Sequence, residues 1–192
     1  MRVRILDKSE SIRKLLFSDD TFPVEKIEKL IFRLEETFER GGKVAFLGNG
    51  GSAAEAMHLA AEFTGKCVID HEPFPAICLN ESQSSITAVA NDFGFEYVYS
   101  RMVQALLNPN DLLIALSTSG KSMNVIKAIE SANQLGVHCY LWTGENVPEV
   151  EHTEIWNVPS KETPRIQEVH LMWGHMIAEI FEERLPNRIE SI

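Results

Sequence analysis

The chain has 192 residues, 44% hydrophobic and 24% charged, which excludes a disordered, collagen-like or coiled-coil protein. Twenty-eight acidic residues against 18 basic leave a net charge of −10, which repels phosphate backbones and anionic lipid, so neither nucleic acid nor a membrane is an expected partner. The cysteines Cys67, Cys78 and Cys139 have no metal or redox spacing and read as buried thiols of a cytoplasmic protein; no apolar run approaches the roughly 20 residues of a membrane span, and no secretory pattern opens the chain.

Residues 7–40 read as helical. Val24, Ile27, Leu30, Ile31, Leu34 and Phe38 recur at three- and four-residue steps, with Asp20 or Thr21 as cap and Gly41-Gly42 as stop. This predicts a helical N-terminal arm over 1–41, ahead of a core over 42–192. There the period changes. Short apolar runs at Lys43–Leu47, Pro75–Leu79, Asp111–Leu116, Val137–Trp142 and Glu154–Val158 read as buried strands. Helical segments alternate with them at Ser52–Thr64, 83–106 with a break at Asp92–Gly94, Ser122–Leu135 and Pro164–Leu185. That alternation predicts an α/β fold in which a parallel sheet is covered on both faces, with ligands beyond the carboxyl ends of the strands.

Two strand-to-helix turns stand out. Gly48-Asn49-Gly50-Gly51-Ser52-Ala53 follows the first strand, and Ser117-Thr118-Ser119-Gly120-Lys121-Ser122 follows the third. The first amides of a helix lack partners and the helix dipole is positive there, while glycine lets an anion approach and hydroxyls add donors. A phosphate monoester suits such a pair. The first turn also satisfies a dinucleotide fingerprint, with Asp70 as the distant acid. That reading leaves the serine-rich turn unexplained and needs a strand at Val68–Asp70, which is poorly formed in sequence. A P-loop fails because Ala115 stands where its leading glycine belongs.

His58 and Glu62 are four apart and so share a helix face, among Ala, Met, Leu and Phe. They form either a surface ion pair or one edge of a divalent metal site. The last helix carries Gln167, Glu168, His170 and His175. Gln167 and His175 are about 80° apart around the axis and about 12 Å along it, whereas His170 is about 140° from His175 and reads as structural or surface. Trp142, Trp156 and Trp173 read as packing residues. His71, His138 and His152 have no neighbours that suggest chemistry.

Together, KVAFLGNGGSAAEAMHLAAEFTGK, ANDFGFEYVYSRMV, DLLIALSTSGKSMNVIKAI and RIQEVHLMWGH resemble the sugar isomerase (SIS) domain family, and within it the phosphoheptose isomerases, over about residues 43–180. The resemblance implies a five-stranded parallel sheet flanked by helices, assembled as a homotetramer with active sites at subunit interfaces. It implies isomerisation of a phosphorylated seven-carbon sugar, sedoheptulose 7-phosphate, to D-glycero-D-manno-heptose 7-phosphate, which feeds bacterial lipopolysaccharide or capsule. It implies zinc held by His58, Glu62, Gln167 and His175. The substrate contacts would be Asn49, Gly50, Gly51, Ser52, Glu62, Asn91, Asp92, Ser117, Thr118, Ser119, Ser122 and Gln167. Moving a proton between adjacent carbons needs a base, an acid and a stabiliser of the enediolate, and Glu62 and His175 are the candidate catalytic pair. A carboxylate shared with zinc is a weaker base, so the two roles of Glu62 pull against each other.

Two positions depart from the family pattern. Lys66 stands where some members have Arg, and a point charge does not replace a bidentate fork. Thr163-Pro164 precedes Arg165 where some members place Asp. The competing function is a non-catalytic SIS protein that binds a phosphosugar and associates with a replication initiator. Such relatives tend to lack the glutamate and final histidine present here as Glu62 and His175.

Overall fold

The computed structural model describes residues 1–145 and 147–184. Among these, the helices are α1 (Arg2–Leu16), α2 (Val24–Glu39), α3 (Gly51–Thr64), α4 (Gln83–Phe93), α5 (Val98–Leu106), α6 (Met123–Gln134) and α7 (Thr163–Glu183). The strands are β1 (Val44–Gly48), β2 (Ala76–Cys78), β3 (Leu112–Ser117), β4 (His138–Thr143) and β5 (Thr153–Asn157). They form one sheet in the order β2-β1-β3-β4-β5, and every pair is parallel. Every side chain of β1 and β3 is buried, as a sheet covered on both faces requires. Val44, Phe46, Leu112 and Ile114 join one core with α2, α3 and α7, while Ala45, Leu47, Leu113 and Ala115 join the other with α5 and α6.

The N-terminal region differs from the predicted continuous helix over 7–40. Helix begins at Arg2 and breaks between Leu16 and Val24 around a tight turn at Asp19–Thr21. Pro23 disfavours helix at Phe22, and the Thr21 hydroxyl donates to Leu15 O at 2.8 Å, closing α1. Neither Asp20 nor Thr21 caps α2; Pro23 occupies that position. The break is tied down by the Trp173 indole, which donates to Thr21 O at 2.7 Å. Ile27, Leu30, Ile31 and Leu34 sit in the same core as the sheet, so α2 is a core layer as well as part of an arm.

Smaller differences have identifiable causes. β3 starts at Leu112 because Asp111 anchors the preceding turn: it accepts the Lys43 amide at 2.9 Å, the Lys43 ammonium at 2.7 Å and the Asn108 amide at 2.8 Å. The break in 83–106 falls at Gly94, whose φ of +103° a side chain would resist, and Asp92 is still helical. β2 is confined to Ala76–Cys78. No strand forms at Val68–Asp70, so the dinucleotide reading loses its ribose-binding acid. The cysteines are free, with Cys78 and Cys139 buried and Cys67 only partly so. Leu185, the expected end of the last helix, lies outside the described residues.

α3 and α7 run side by side in the same direction. Gln167 meets Ser52, Gly174 meets Leu59, and the Glu182 carboxylate takes the amides of Cys67, Val68 and Ile69 at 2.6, 2.9 and 2.8 Å, just past the end of α3. The helices approach closely because residue 174 has no side chain; a Cβ there would lie 2.1 Å from Leu59 Cδ2. Gly174→Ala is expected to cost about 1–3 kcal/mol in urea unfolding by overpacking, with part recovered when Leu59→Ala is added.

Candidate active site

The strand order reverses between β1 and β3: β2 lies outside β1, while β4 and β5 lie beyond β3. A crevice opens at the carboxyl ends of two strands on either side of such a switch. Gly48 is in register with Leu116, so the Gly48–Ala53 and Ser117–Ser122 turns are neighbours. Gly50 takes a φ of +56°, which turns the chain from β1 into α3. The amides of Gly50, Gly51, Ser119 and Ser122 donate to no protein acceptor among the described residues. Ser117 Oγ donates to Ser122 Oγ at 3.3 Å across the second turn.

The parallel α3–α7 pair brings three predicted residues together. His58 Nε2 lies 2.8 Å from His175 Nε2 and 3.1 Å from Glu62 Oε1, and one ligand atom from each of the three lies within 4.8 Å of the others. The cluster is open on one side: the His58 side chain is 49% exposed and that of Glu62 only 13%. The two imidazole nitrogens face each other directly, and which of them donates depends on the tautomer. Two nitrogens and a carboxylate oxygen form a donor set suited to a borderline divalent ion, so the group can hold a metal.

Gln167 is directed at the start of α3, where its Nε2 is 3.4 Å from Ser52 Oγ. Ser52 and Ser117 are buried at the base of the turns. Asn91 and Asp92 are exposed on α4 and pair with each other, Asn91 Nδ2 donating to Asp92 Oδ1 at 2.8 Å. Lys66 is exposed. His170 is fully buried against Trp142 and Trp173, a structural residue. His71 has chemistry that its sequence neighbours did not suggest. Its Nδ1 lies 2.7 Å from Glu72 O and its Nε2 lies 3.1 Å from the buried Glu182 carboxylate.

Sequence reasoning missed four polar residues. Asn80, Tyr99 and Asn124 gather around Gly48 and Asn49. Their only signal in the sequence is a polar group amid apolar neighbours. Glu55, one turn into α3, is buried; burial pushes its carboxyl up to about 7 against the opposing pull of the Ser52 hydroxyl, and Oε2 has no partner among the described residues.

Residues 10–144 match the SIS domain family. A phosphoheptose isomerase of Rhodospirillum rubrum is 47% identical over 148 residues, covering 76% of this chain and 78% of its own. That of Aliarcobacter butzleri is 39% identical over 191 residues, covering 94% and 100%. The solved structure of a phosphoheptose isomerase from Neisseria gonorrhoeae superposes with a TM-score of 0.87 at 31% identity, over 95% of this chain and 98% of that one. The chain belongs to the SIS domain family and, within it, to the phosphoheptose isomerases.

Two buried groups set opposing pH slopes. The folded chain keeps a proton on Glu55 that the unfolded chain loses above 4.5, so this contribution falls as pH rises toward about 7. Burial pushes His170 down to about 3, so the unfolded chain alone gains a proton below 6.5, and stability falls as pH drops. Between pH 4.5 and 6.5 the two cancel, each at most about 1.4 kcal/mol per pH unit. On metal-free protein, Glu55→Gln is expected to unmask the loss in acid and His170→Phe the opposite slope, read as urea midpoints across that window.

Proposed function

We propose that the chain converts sedoheptulose 7-phosphate to D-glycero-D-manno-heptose 7-phosphate in the cytoplasm, with zinc held by His58, Glu62, Gln167 and His175. The observation that carries this reading is the convergence of His58, Glu62 and His175 on a helix pair that begins at the glycine turn. From Ser52 to His58 is about 9 Å along α3, a span comparable to an extended seven-carbon chain. The phosphate binds at the two turns, through the backbone of Asn49, Gly50 and Gly51 and the donors of Ser52, Ser117, Thr118, Ser119 and Ser122. The reacting carbons then lie at the histidine–glutamate cluster.

The Glu62 carboxylate takes a proton from C1, the C1–H electrons form the C1=C2 bond, and C2–O becomes an enediolate oxygen. Proton return to C2 and transfer between the two oxygens leave C1 as the aldehyde, and His175 moves these protons. Zinc, when bound, supplies Lewis-acid polarisation of the carbonyl. Glu62 is also a substrate contact, and Gln167 orients the sugar between Ser52 and the cluster. Asn91 and Asp92 complete the hydroxyl contacts. The exposed edge of His58 and the exposed apolar Val24, Phe32, Met57 and Ile180 support assembly into a homotetramer that closes the site. The chain's acidity and the absence of a helix long and apolar enough to cross a membrane, among the described residues, give no support to a nucleic-acid or membrane partner.

Incubation of zinc-loaded protein with sedoheptulose 7-phosphate is expected to give the aldose by NMR. Glu62→Gln and His175→Gln should each lower turnover about a hundred- to ten-thousand-fold. Near-normal turnover in either variant overturns these roles. No aldose with or without zinc would make the chain a phosphosugar-binding protein instead.

A further inference from the structure

The two anion-cradling turns are bonded to each other through one pair of side chains. Asn49 Nδ2 donates to Asn124 Oδ1 at 2.9 Å, and Asn124 Nδ2 donates back to Asn49 Oδ1 at 2.8 Å, across 75 residues of sequence. Two carboxamides joined head to tail form a ring that neither can leave without breaking both bonds. Asn124 is 3% exposed, and its Oδ1 also accepts the Val125 amide at 3.0 Å. Asparagine is a poor helix former, and a buried amide costs stability unless paired, so helix formation by α6 does not account for it.

The loop-one end of this pair has its own support. The Tyr99 hydroxyl, from α5, lies 2.5 Å from Gly48 O and 3.1 Å from Asn49 Oδ1. Asn80 accepts the Gly48 amide at 3.2 Å and donates to Gly48 O at 2.8 Å and to the Tyr99 hydroxyl at 2.7 Å. β2 ends at Cys78, so the Asn80 side chain takes over the backbone bonds that a longer strand would give Gly48. The glycine turn, the end of β2, α5 and α6 thus share one polar network. Its last member, Asn124, sits on the first turn of the helix that the serine turn opens.

We infer that Asn124 is a positioning residue for phosphate: through Asn49 it fixes the separation of the two turns, with Tyr99 and Asn80 holding the other end. The inference rests on the reading of these turns as the phosphate cradle. An anion held by both turns senses the distance between them, and donors already in place need no reorganisation when it arrives. The phosphate is at the opposite end of the sugar from the reacting carbons. Loss of the brace therefore weakens binding and leaves the proton transfers largely intact, a change in KM rather than kcat.

The test is titration of inorganic phosphate by calorimetry, beside steady-state kinetics and zinc affinity. In Asn124→Ala, phosphate binding is expected to weaken and KM to rise by about tenfold, with kcat within about threefold of wild type and zinc affinity unchanged. The Asn49→Ala/Asn124→Ala double variant should bind phosphate no worse than the weaker single variant, because one ring is lost in each case. Tyr99→Phe removes a single hydroxyl from the same network; it should weaken phosphate binding about threefold, and it keeps the question open to test if Asn124→Ala does not fold. Phosphate binding at the wild-type level in folded Asn124→Ala or in Tyr99→Phe overturns the inference, as do additive losses in the double variant. A lowered melting temperature with unchanged phosphate binding shows a merely structural role and also overturns it. Wild-type protein that binds phosphate yet forms no aldose would defeat the proposed reaction and leave this inference standing.

Discussion

The close approach of α3 and α7 at Gly174 is the constraint on which the site depends. Leu59 fills the space that a side chain at 174 would need, and this contact sets the register of the two helices. From it follow Gln167 beside Ser52, His175 beside His58, and Glu182 beneath the amides of residues 67–69. Helices packed this way do not slide by fractions of a turn, because each ridge sits in a fixed groove. The register that buries Leu59 is therefore the register that gathers two imidazoles and a carboxylate.

The sheet supplies the second half of the site. Reversal of strand order between β1 and β3 puts two βα turns side by side, with amides at the start of α3 that have no acceptor among the described residues. Positive potential at a helix start is local and falls off within a turn, so two such starts act on one anion only when they are close. The Asn49–Asn124 ring holds them together, and Tyr99 and Asn80 secure it to the rest of the sheet. The paired turns and the histidine–glutamate cluster are thus built by different means: a polar network for one and helix packing for the other.

Several titratable groups lie out of water nearby, each handled differently. Burial by itself raises the Glu182 carboxyl, yet three backbone amides and His71 together outweigh that desolvation and hold it below the usual carboxylate range. Among the described residues, Glu55 has only the Ser52 hydroxyl to set against burial and is driven toward its neutral form. His170 stays neutral among indoles. The contrast is one of hydrogen-bond supply: burial penalises charge everywhere, and only aimed N–H groups reverse the result. In the loop after α3, the amides of Cys67, Val68 and Ile69 are spent on the Glu182 side chain rather than on regular structure.

Much of this was legible in the residues. The apolar runs and helical periods specified alternating strands and helices, because burial on both faces leaves an unbroken apolar strand and burial on one leaves a 3.6-residue stripe. The glycine and serine turns declared themselves by composition, and His58 with Glu62 by a spacing that one helix fixes alone. Other features depended on partners far along the chain. The anchoring of the Thr21 turn by Trp173, the start of β3 at Leu112 and the fates of His71 and His170 each follow from a contact with a distant segment. Asn124 reads as an ordinary polar helix residue until β1 and β3 are placed side by side. The sequence by itself determined the local periods, the composition of the two turns and the shared face of His58 and Glu62, because these obey rules acting over a few residues. Only the tertiary structure decided which of them meet, because the α3–α7 register and the β1–β3 adjacency are set by packing across more than a hundred residues and sixty residues of chain, respectively.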